Sequence, residues 1–282
     1  MSTILTALAV LAVAPGLLVS PTELASSLKD PATVVIFVST NEADFVAGHI
    51  PNARFVRYDE IAIDADGLSS ELPPVDQLRT VLAAAGISEK SKVVIYGAAI
   101  PAARMFFTLD YLGHPNAKLL NGGLNAWKAS GGAIEIGEPK RSAAVAFTPK
   151  PQPSRVVSAD WIKERLSSPK MTLLDARPDA EFTGADGGMG GAHVKGHLPD
   201  AHQLVWNSLL DASGTFLPDA ELRKKFDAIG ANPAIPLVSY CMVGMRASVT
   251  YFVARHLGYD ARMYDGSIVD WTRRKLPAVM GK

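Results

Sequence analysis

Short apolar runs alternate with amphipathic segments along most of the chain. Val34–Val38 and Val93–Tyr96 are rich in β-branched residues, as is typical of strands buried within a parallel sheet. Apolar positions at helical spacing in Pro101–Leu112 and Arg246–Leu257 predict amphipathic helices. The segment Ser20 to Glu23 has the form of a capping box, with proline at the first helical position. This alternation predicts an α/β fold in which parallel β-sheets are flanked by helices.

The two halves of the chain repeat one another. Four pairs of similar segments occur in the same order in the two halves, and together they are much stronger evidence for a repeat than any single pair. The pairs are SPTELASSLKDPATVVIFV with SADWIKERLSSPKMTLLD, GHIPNA with GHLPDA, VVIYG with LVSYC, and NGGLNAW with DGSIVDW. The repeat predicts two related domains, residues 18–136 and 156–282, joined by a proline-containing linker at 137–155.

Composition narrows the classes of partner. The 282 residues carry 28 basic and 28 acidic side chains, so the net charge gives no reason to expect nucleic acid or an anionic membrane surface as a partner. A single cysteine excludes an intramolecular disulfide. We therefore expect no nucleic-acid partner and no stable membrane association after removal of any leader.

The first residues form the most apolar stretch of the chain. MSTILTALAVLAVA matches the apolar region of a secretory leader and ends in a small-x-small pattern, although no basic residue precedes it. Residues 1–17 are therefore interpreted as a leader, with a packed N-terminal segment as the alternative. A genuine leader predicts a periplasmic or exported protein, and its absence predicts a cytoplasmic one.

The single cysteine, Cys241, lies where a predicted strand ends and just before a predicted helix. Loops at the carboxyl ends of parallel strands are where α/β proteins bind ligands. Inward-turned N–H groups and the helix dipole would favour a thiolate, the nucleophilic form of cysteine. Gly244 permits a positive φ, and Arg246 offers a charged fork for an anionic substrate. This placement favours a nucleophile over a buried core cysteine.

On these residues the chain from Leu18 to Trp271 resembles a two-domain rhodanese of the thiosulfate/3-mercaptopyruvate sulfurtransferase type. The matching segments are LLDAR, GHIP and GHLP, the loop CMVGMR and DGSIVDW. The resemblance implies two tandem rhodanese-like domains, the second catalytic and the first a degenerate copy. In the first half Gly97 stands in the place of Cys241, and we expect Val38 and Thr40 in the places of Asp175 and Arg177.

The resemblance also implies a chemistry. Cys241 attacks the outer sulfur of a donor and passes it, as a persulfide, to a thiophilic acceptor such as cyanide or a thiol. Thiosulfate is the expected donor, with 3-mercaptopyruvate as the alternative, and no cofactor or metal is implied. The expected site comprises Cys241, the substrate-binding loop residues and two supporting residues; the loop residues are Met242, Val243, Gly244, Met245 and Arg246, and the supporting residues are Asp175 and Arg177.

Two features depart from the family pattern. Members specialised for thiosulfate have basic residues inside the loop and those for 3-mercaptopyruvate have small polar ones, whereas Met242 and Val243 match neither. Glu181 stands where many two-domain members carry an arginine. We therefore expect Arg246 to contribute more to donor binding than it would if position 181 also carried an arginine.

Two other functions compete with sulfur transfer. Cysteine phosphatases and arsenate reductases also place a thiolate and an arginine on a loop before a helix, but with five residues between them rather than the four found here. The second alternative is a non-catalytic binding module, against which the intact loop from Cys241 to Arg246 argues.

The remaining candidates are better explained by structure. His49 and His197 recur at equivalent positions of the two halves, as do Trp127 and Trp271, which favours turn and core roles. His193 and His197 have a possible chelating spacing, but no ligand set completes it. The Gly-rich insert from residue 184 to 195 lacks phosphate-binding motifs, so we expect a loop bordering the site.

Overall fold

The computed structural model describes residues 16–139, 144–188 and 194–281. The predicted leader core, residues 1–14, and the possible ligand His193 lie outside the described residues.

The first domain contains a five-stranded parallel sheet in the order β1-β7-β6-β2-β3 and a separate antiparallel pair, β4-β5. Its elements are β1 (Leu18–Val19), α1 (Pro21–Ser27), β2 (Thr33–Ser39), α2 (Glu42–Ala47), β3 (Arg54–Arg57), β4 (Ile63–Ala65), β5 (Leu68–Glu71), α3 (Val75–Ala84), β6 (Lys92–Gly97), α4 (Ala99–Tyr111), β7 (Ala117–Leu120) and α5 (Gly123–Ala129). A short 3₁₀ helix, Tyr58–Glu60, follows β3.

The second domain repeats this plan with a four-stranded parallel sheet in the order β11-β10-β8-β9. Its elements are α6 (Ala159–Lys163), β8 (Thr172–Asp175), α7 (Asp179–Thr183), β9 (Ala201–Gln203), α8 (Asp219–Ala228), β10 (Leu237–Tyr240), α9 (Ala247–His256), β11 (Ala261–Met263) and α10 (Ser267–Arg273), with 3₁₀ helices at Pro153–Arg155 and Trp206–Leu209. The α/β class predicted from the sequence is confirmed.

Local sequence signals account for several of these elements. Ser20 caps α1 by accepting from the Glu23 N–H, while Glu23 returns a bond to the Ser20 N–H, so the capping box is complete. The central strands are buried along almost their whole length, which explains their unbroken apolar runs. In both domains a buried tyrosine at the end of the central strand, Tyr96 or Tyr240, accepts a hydrogen bond from the backbone N–H of the GH(I/L)P turn.

Helices α4 and α9 pack against each other between the two sheets. Phe106 meets Phe252 and Phe107 meets Tyr251, both edge to face with ring centroids 4.9 and 5.0 Å apart. The largest buried apolar cluster includes residues of both domains, whereas the outer face of each sheet has a smaller cluster of its own. The domains therefore share one core, which fixes the first domain against the loop that carries Cys241.

Strand register corrects one expected correspondence between the halves. Asp175 lies opposite Tyr240, and in the first domain it is Phe37, not Val38, that lies opposite Tyr96. The counterpart of Asp175 is therefore Phe37, and the counterpart of Arg177 is Ser39 rather than Thr40. The expectation was wrong by one position because the first half has an extra residue between β2 and α2.

Among the described residues, no helix combines the length and apolar character that crossing a membrane requires.

Candidate active site

Cys241 directly follows β10, which lies inside the second sheet between β11 and β8. Its side chain is fully buried, and the cysteine loop, residues 241–246, leads into α9. Gly244 has a φ of +82°, and a Cβ there would lie 2.6 Å from Asp265 Oδ1 and 2.8 Å from the Asp265 carbonyl oxygen. Both the backbone conformation and the space require glycine at this position.

Ser267 fixes the shape of the cysteine loop. Its hydroxyl accepts hydrogen bonds from the N–H groups of Cys241 and Gly244, at 3.1 and 3.0 Å, and donates one to the Tyr264 carbonyl at 2.9 Å. Ser267 itself has a φ of +52°, an unfavourable conformation for a side chain other than glycine. This contact corrects part of the expected cradle, because two loop N–H groups are spent on Ser267 and not directed to a ligand.

The other loop N–H groups have no such partner. Within the described residues, the structure provides no acceptor for the N–H groups of Met242, Val243, Met245 and Arg246. Clustered backbone N–H groups at a strand-to-helix turn provide a favourable environment for negative charge. This part of the predicted cradle is not used by the described residues and can donate to an anionic ligand.

A buried ion pair joins the first domain to the loop's surroundings. Arg104 of α4 and Asp265 are both almost inaccessible to solvent, and their two contacts measure 2.5 and 3.1 Å. Asp265 also accepts the Leu72 N–H at 2.8 Å. Through Asp265, whose oxygen borders Gly244, the first domain forms one wall of the site.

A second carboxyl group, Glu71, lies on this wall. Its Oε1 is buried without a hydrogen-bond partner among the described residues. Burial, together with the negative charge of Asp265, raises the pKa of Glu71 to about 7, although Arg104 opposes the rise. The adjacent Ser70 has a φ of +66° and its hydroxyl contacts that of Tyr58 at 2.8 Å. Burial likewise raises the pKa of Tyr58.

Arg246, the predicted anion-binding residue, is paired with a carboxylate. Both of its terminal nitrogens donate to Glu181, each at 2.7 Å, in a part-buried bidentate contact. Burial alone would lower the pKa of Arg246, but the hydrogen bonds to Glu181 and the nearby charge of Cys241 raise it. Gly188 of the Gly-rich insert packs over this pair, since a Cβ there would lie 2.4 Å from Met242 Cε and 2.9 Å from Glu181 Oε2.

Asp175 and Arg177 form a separate, fully buried ion pair. Asp175 accepts from the Arg177 backbone N–H at 2.9 Å and from its guanidinium at 2.6 to 3.0 Å. Arg177 also donates to the Gly196 carbonyl, which ties β8 to the GHLP turn. Among the described residues Asp175 makes no hydrogen bond to the cysteine loop, so the contacts of this pair lie within the scaffold.

The first domain lacks both the thiol and the long loop of the second, because α4 begins two residues after Gly97 whereas α9 begins six residues after Cys241. Gly97 stands in place of Cys241, and Gly123 in place of Ser267. Gly97 has a φ of +147°, and a Cβ there would lie 2.3 Å from the Val38 carbonyl oxygen, so no cysteine fits. A cavity of about 620 Å³ opens here, lined by both glycines together with Asp44 and Trp206.

The recurrent histidines and tryptophans have structural roles, as expected. His49 and His197 contact the carbonyls of Phe45 and Phe182 through Nδ1, at 2.9 Å each, and stack on those rings. Trp127 and Trp271 are buried and donate to backbone carbonyls at 2.8 Å. Within the described ranges, no group of three or more His, Cys, Asp or Glu side chains is arranged to hold a metal.

Sequence reasoning missed Ser267, Asp265 and Arg104. The repeat contained a signal for the first two, because NGGLNAW in the first half becomes DGSIVDW in the second. The second half, which carries the cysteine, has an aspartate and a serine where the first half has asparagine and glycine. That difference indicates that both residues belong to the site. No comparable signal marked Arg104, which reaches Asp265 across the domain interface.

The structure is thus a tandem α/β protein with one thiol site. The cysteine of that site is buried at the carboxyl end of a central parallel strand, on a loop that leads into a helix. The family model of the Rhodanese-like domain matches residues 20–130 and 158–274. The chain therefore belongs to the rhodanese family.

Curated relatives extend over most of the chain. It is 31% identical to the probable 3-mercaptopyruvate sulfurtransferase of Pseudomonas aeruginosa, covering 94% of this chain and 98% of the relative. It is 30% identical to the mitochondrial thiosulfate/3-mercaptopyruvate sulfurtransferase 1 of Arabidopsis thaliana, covering 83% and 68%. The thiosulfate sulfurtransferase of Azotobacter vinelandii is 27% identical, with 90% and 93% covered.

Solved structures share the fold. YnjE superposes with a TM-score of 0.85 at 24% identity, covering 94% of this chain and 68% of YnjE. Wild-type EanB gives a TM-score of 0.85 at 24% identity, covering 94% and 69%.

Proposed function

We propose that this chain is a sulfurtransferase that moves sulfane sulfur from thiosulfate to a thiophilic acceptor, cyanide or a thiol, through a persulfide on Cys241. The relatives above carry sulfurtransferase names, and family membership supports the same reaction class here. The observation that carries the assignment to Cys241 is the loop itself. Ser267 accepts the backbone N–H groups of Cys241 and Gly244, and the other loop N–H groups have no acceptor among the described residues.

The chemistry has two balanced steps. The Cys241 thiolate attacks the outer sulfur of thiosulfate, a new S–S bond forms, and sulfite leaves with the electron pair of the broken bond. The acceptor then attacks the outer sulfur of the persulfide and restores the thiolate. The negative charge on the protein lies on sulfur in both the thiolate and the persulfide, and we expect the loop N–H groups and the N-terminus of α9 to stabilise it.

The remaining site residues have supporting roles in this proposal. Met242, Val243 and Met245 belong to the loop, Gly244 permits its turn, and Arg246 holds the Glu181 carboxylate beside it. Asp175 and Arg177 hold β8 against the GHLP turn. Residues 18–136 form the non-catalytic domain and residues 156–282 the catalytic domain, with 137–155 as the linker.

The second candidate donor is 3-mercaptopyruvate. Its carboxylate could take the bidentate geometry in which Arg246 holds Glu181, but only by displacing Glu181. Steady-state rates with each donor, using cyanide as acceptor, separate the two. A large preference for 3-mercaptopyruvate would overturn the thiosulfate assignment and leave the persulfide intact.

The persulfide is tested by mass spectrometry of the intact protein after exposure to donor. Because the chain has one cysteine, the mass of one added sulfur, lost on addition of cyanide, assigns the carrier. The Cys241→Ser variant should gain no sulfur and show no turnover. Sulfur uptake by that variant, or none by the wild type with either donor, would refute the proposal.

A further inference from the structure

Each arginine beside the site is matched with a carboxylate. Arg104 pairs with Asp265, and Arg177 pairs with Asp175, in contacts that are almost or fully buried. Arg246, on the cysteine loop itself, pairs with Glu181. The first two pairs connect parts of the fold around the site, whereas the third pair includes Arg246, the one cationic residue of the cysteine loop.

The Arg246–Glu181 contact has the form of an occupied anion site. Both carboxylate oxygens accept from the guanidinium, each at 2.7 Å, and the side chains are 17% and 8% exposed. This fork geometry is the one by which arginine binds carboxylate and sulfonate groups of ligands. The carboxylate is held in place from behind, because α7 is anchored by His197 Nδ1 to the Phe182 carbonyl and Gly188 packs against it.

We propose that Glu181 is a specificity-determining residue that occupies the anion-binding fork of Arg246 and so disfavours sulfur donors in proportion to their negative charge. The proposal rests on sulfur transfer at Cys241, as set out above. A dianionic donor such as thiosulfate must approach a loop whose cation is already neutralised, and it meets the field of a part-buried carboxylate as well. Such fields are weakly screened at buried positions and scale with the charge of the incoming group.

Donors of matched shape and different charge test this directly. Methanethiosulfonate differs from thiosulfate by a methyl group in place of one oxygen, so it carries one negative charge where thiosulfate carries two. We expect Glu181→Gln to raise kcat/KM about tenfold for thiosulfate and about threefold for methanethiosulfonate. The electrostatic contribution to the logarithm of the rate is proportional to donor charge, so it is twice as large for the dianion as for the monoanion.

Two further variants control the result. Glu181→Asp keeps the charge and should keep the wild-type ratio of kcat/KM between the two donors. Asp44→Asn removes the carboxylate at the equivalent position of the first domain, where Asp44 accepts from Ser39, and should leave both donors unchanged. Thermal unfolding of all variants checks that the proteins compared are folded.

The outcomes separate the two proposals. A Glu181→Gln variant that accelerates thiosulfate more than methanethiosulfonate supports the role of Glu181. Equal changes for both donors, or no change, overturn it while sulfur transfer through Cys241 stands. Failure of the wild-type protein to load sulfur from either donor overturns the function itself.

Discussion

Glu71 is predicted to make the stability of the protein depend on pH. Its carboxyl group lies on the first-domain wall of the site, with Oε1 buried and unpartnered among the described residues. Burial, together with the charge of Asp265, raises its pKa from the ordinary value of 4.5 to about 7. Glutamine has nearly the same shape and cannot ionise, so Glu71→Gln isolates the effect of the charge.

The magnitude follows from the pKa. At about 1.4 kcal/mol per pKa unit, the rise from 4.5 to about 7 corresponds to about 3 kcal/mol. Solvent screens this part-buried group, so we expect about 1–2 kcal/mol. Between these two pKa values the folded protein binds more protons than the unfolded chain, and the free energy of unfolding therefore falls as pH rises through that window.

Urea unfolding at two pH values measures the effect. Near pH 4.5 the carboxyl group is protonated in the folded protein, and Glu71→Gln should match the wild type within about 0.5 kcal/mol. Above about pH 8 the variant should be more stable by about 1–2 kcal/mol. The exposed Glu221→Gln on α8 serves as the control for removal of a surface carboxylate and should change the stability much less than Glu71→Gln at the higher pH. The same difference between variant and wild type at both pH values would refute the reasoning.

Three further variants probe the scaffold of the site. Gly97→Cys should lose about 2–4 kcal/mol of stability and carry no sulfur, because its Cβ would meet the Val38 carbonyl; sulfur loaded at position 97 of a Cys241→Ser background would contradict this. Ser267→Ala removes the acceptor of two loop N–H groups and should cost about 2–4 kcal/mol in urea unfolding and slow persulfide formation; an unchanged rate would show that the loop holds its shape alone. Asp265→Asn leaves the buried Arg104 unpaired and should cost about 3–5 kcal/mol; a loss below about 1 kcal/mol would show that the pair does not join the domains.

The contrast between the two domains shows what a working site requires beyond the fold. Both have a tyrosine bonded to the GH(I/L)P turn and a buried tryptophan at equivalent positions. Only the second has a cysteine at the strand end and a serine that bonds its N–H. In the first, glycine occupies both positions, and a Cβ at Gly97 would clash with the Val38 carbonyl oxygen, so we expect that restoring the thiol alone would not restore the site.

The sequence by itself determined the fold class, the repeat and the position of the thiol. The patterns of apolar residues that predict strands and helices recur at matching places in both halves. Such patterns are local, because burial of one face of a strand or helix requires apolar residues only at nearby positions. The capping box at Ser20 and the place of Cys241 at a strand end followed from the same local rules.

Only the tertiary structure decided which charges meet. Arg246 was expected to face a donor, yet it pairs with Glu181, 65 residues away in the chain. Arg104 meets Asp265 across 161 residues, between domains. Which charged residues pair in this way depends on how the two sheets and helices α4 and α9 pack. The spacing of residues along the chain does not predict these pairs. The position of the thiol is thus a local feature of the sequence, whereas the charges that surround it are a property of the assembled fold.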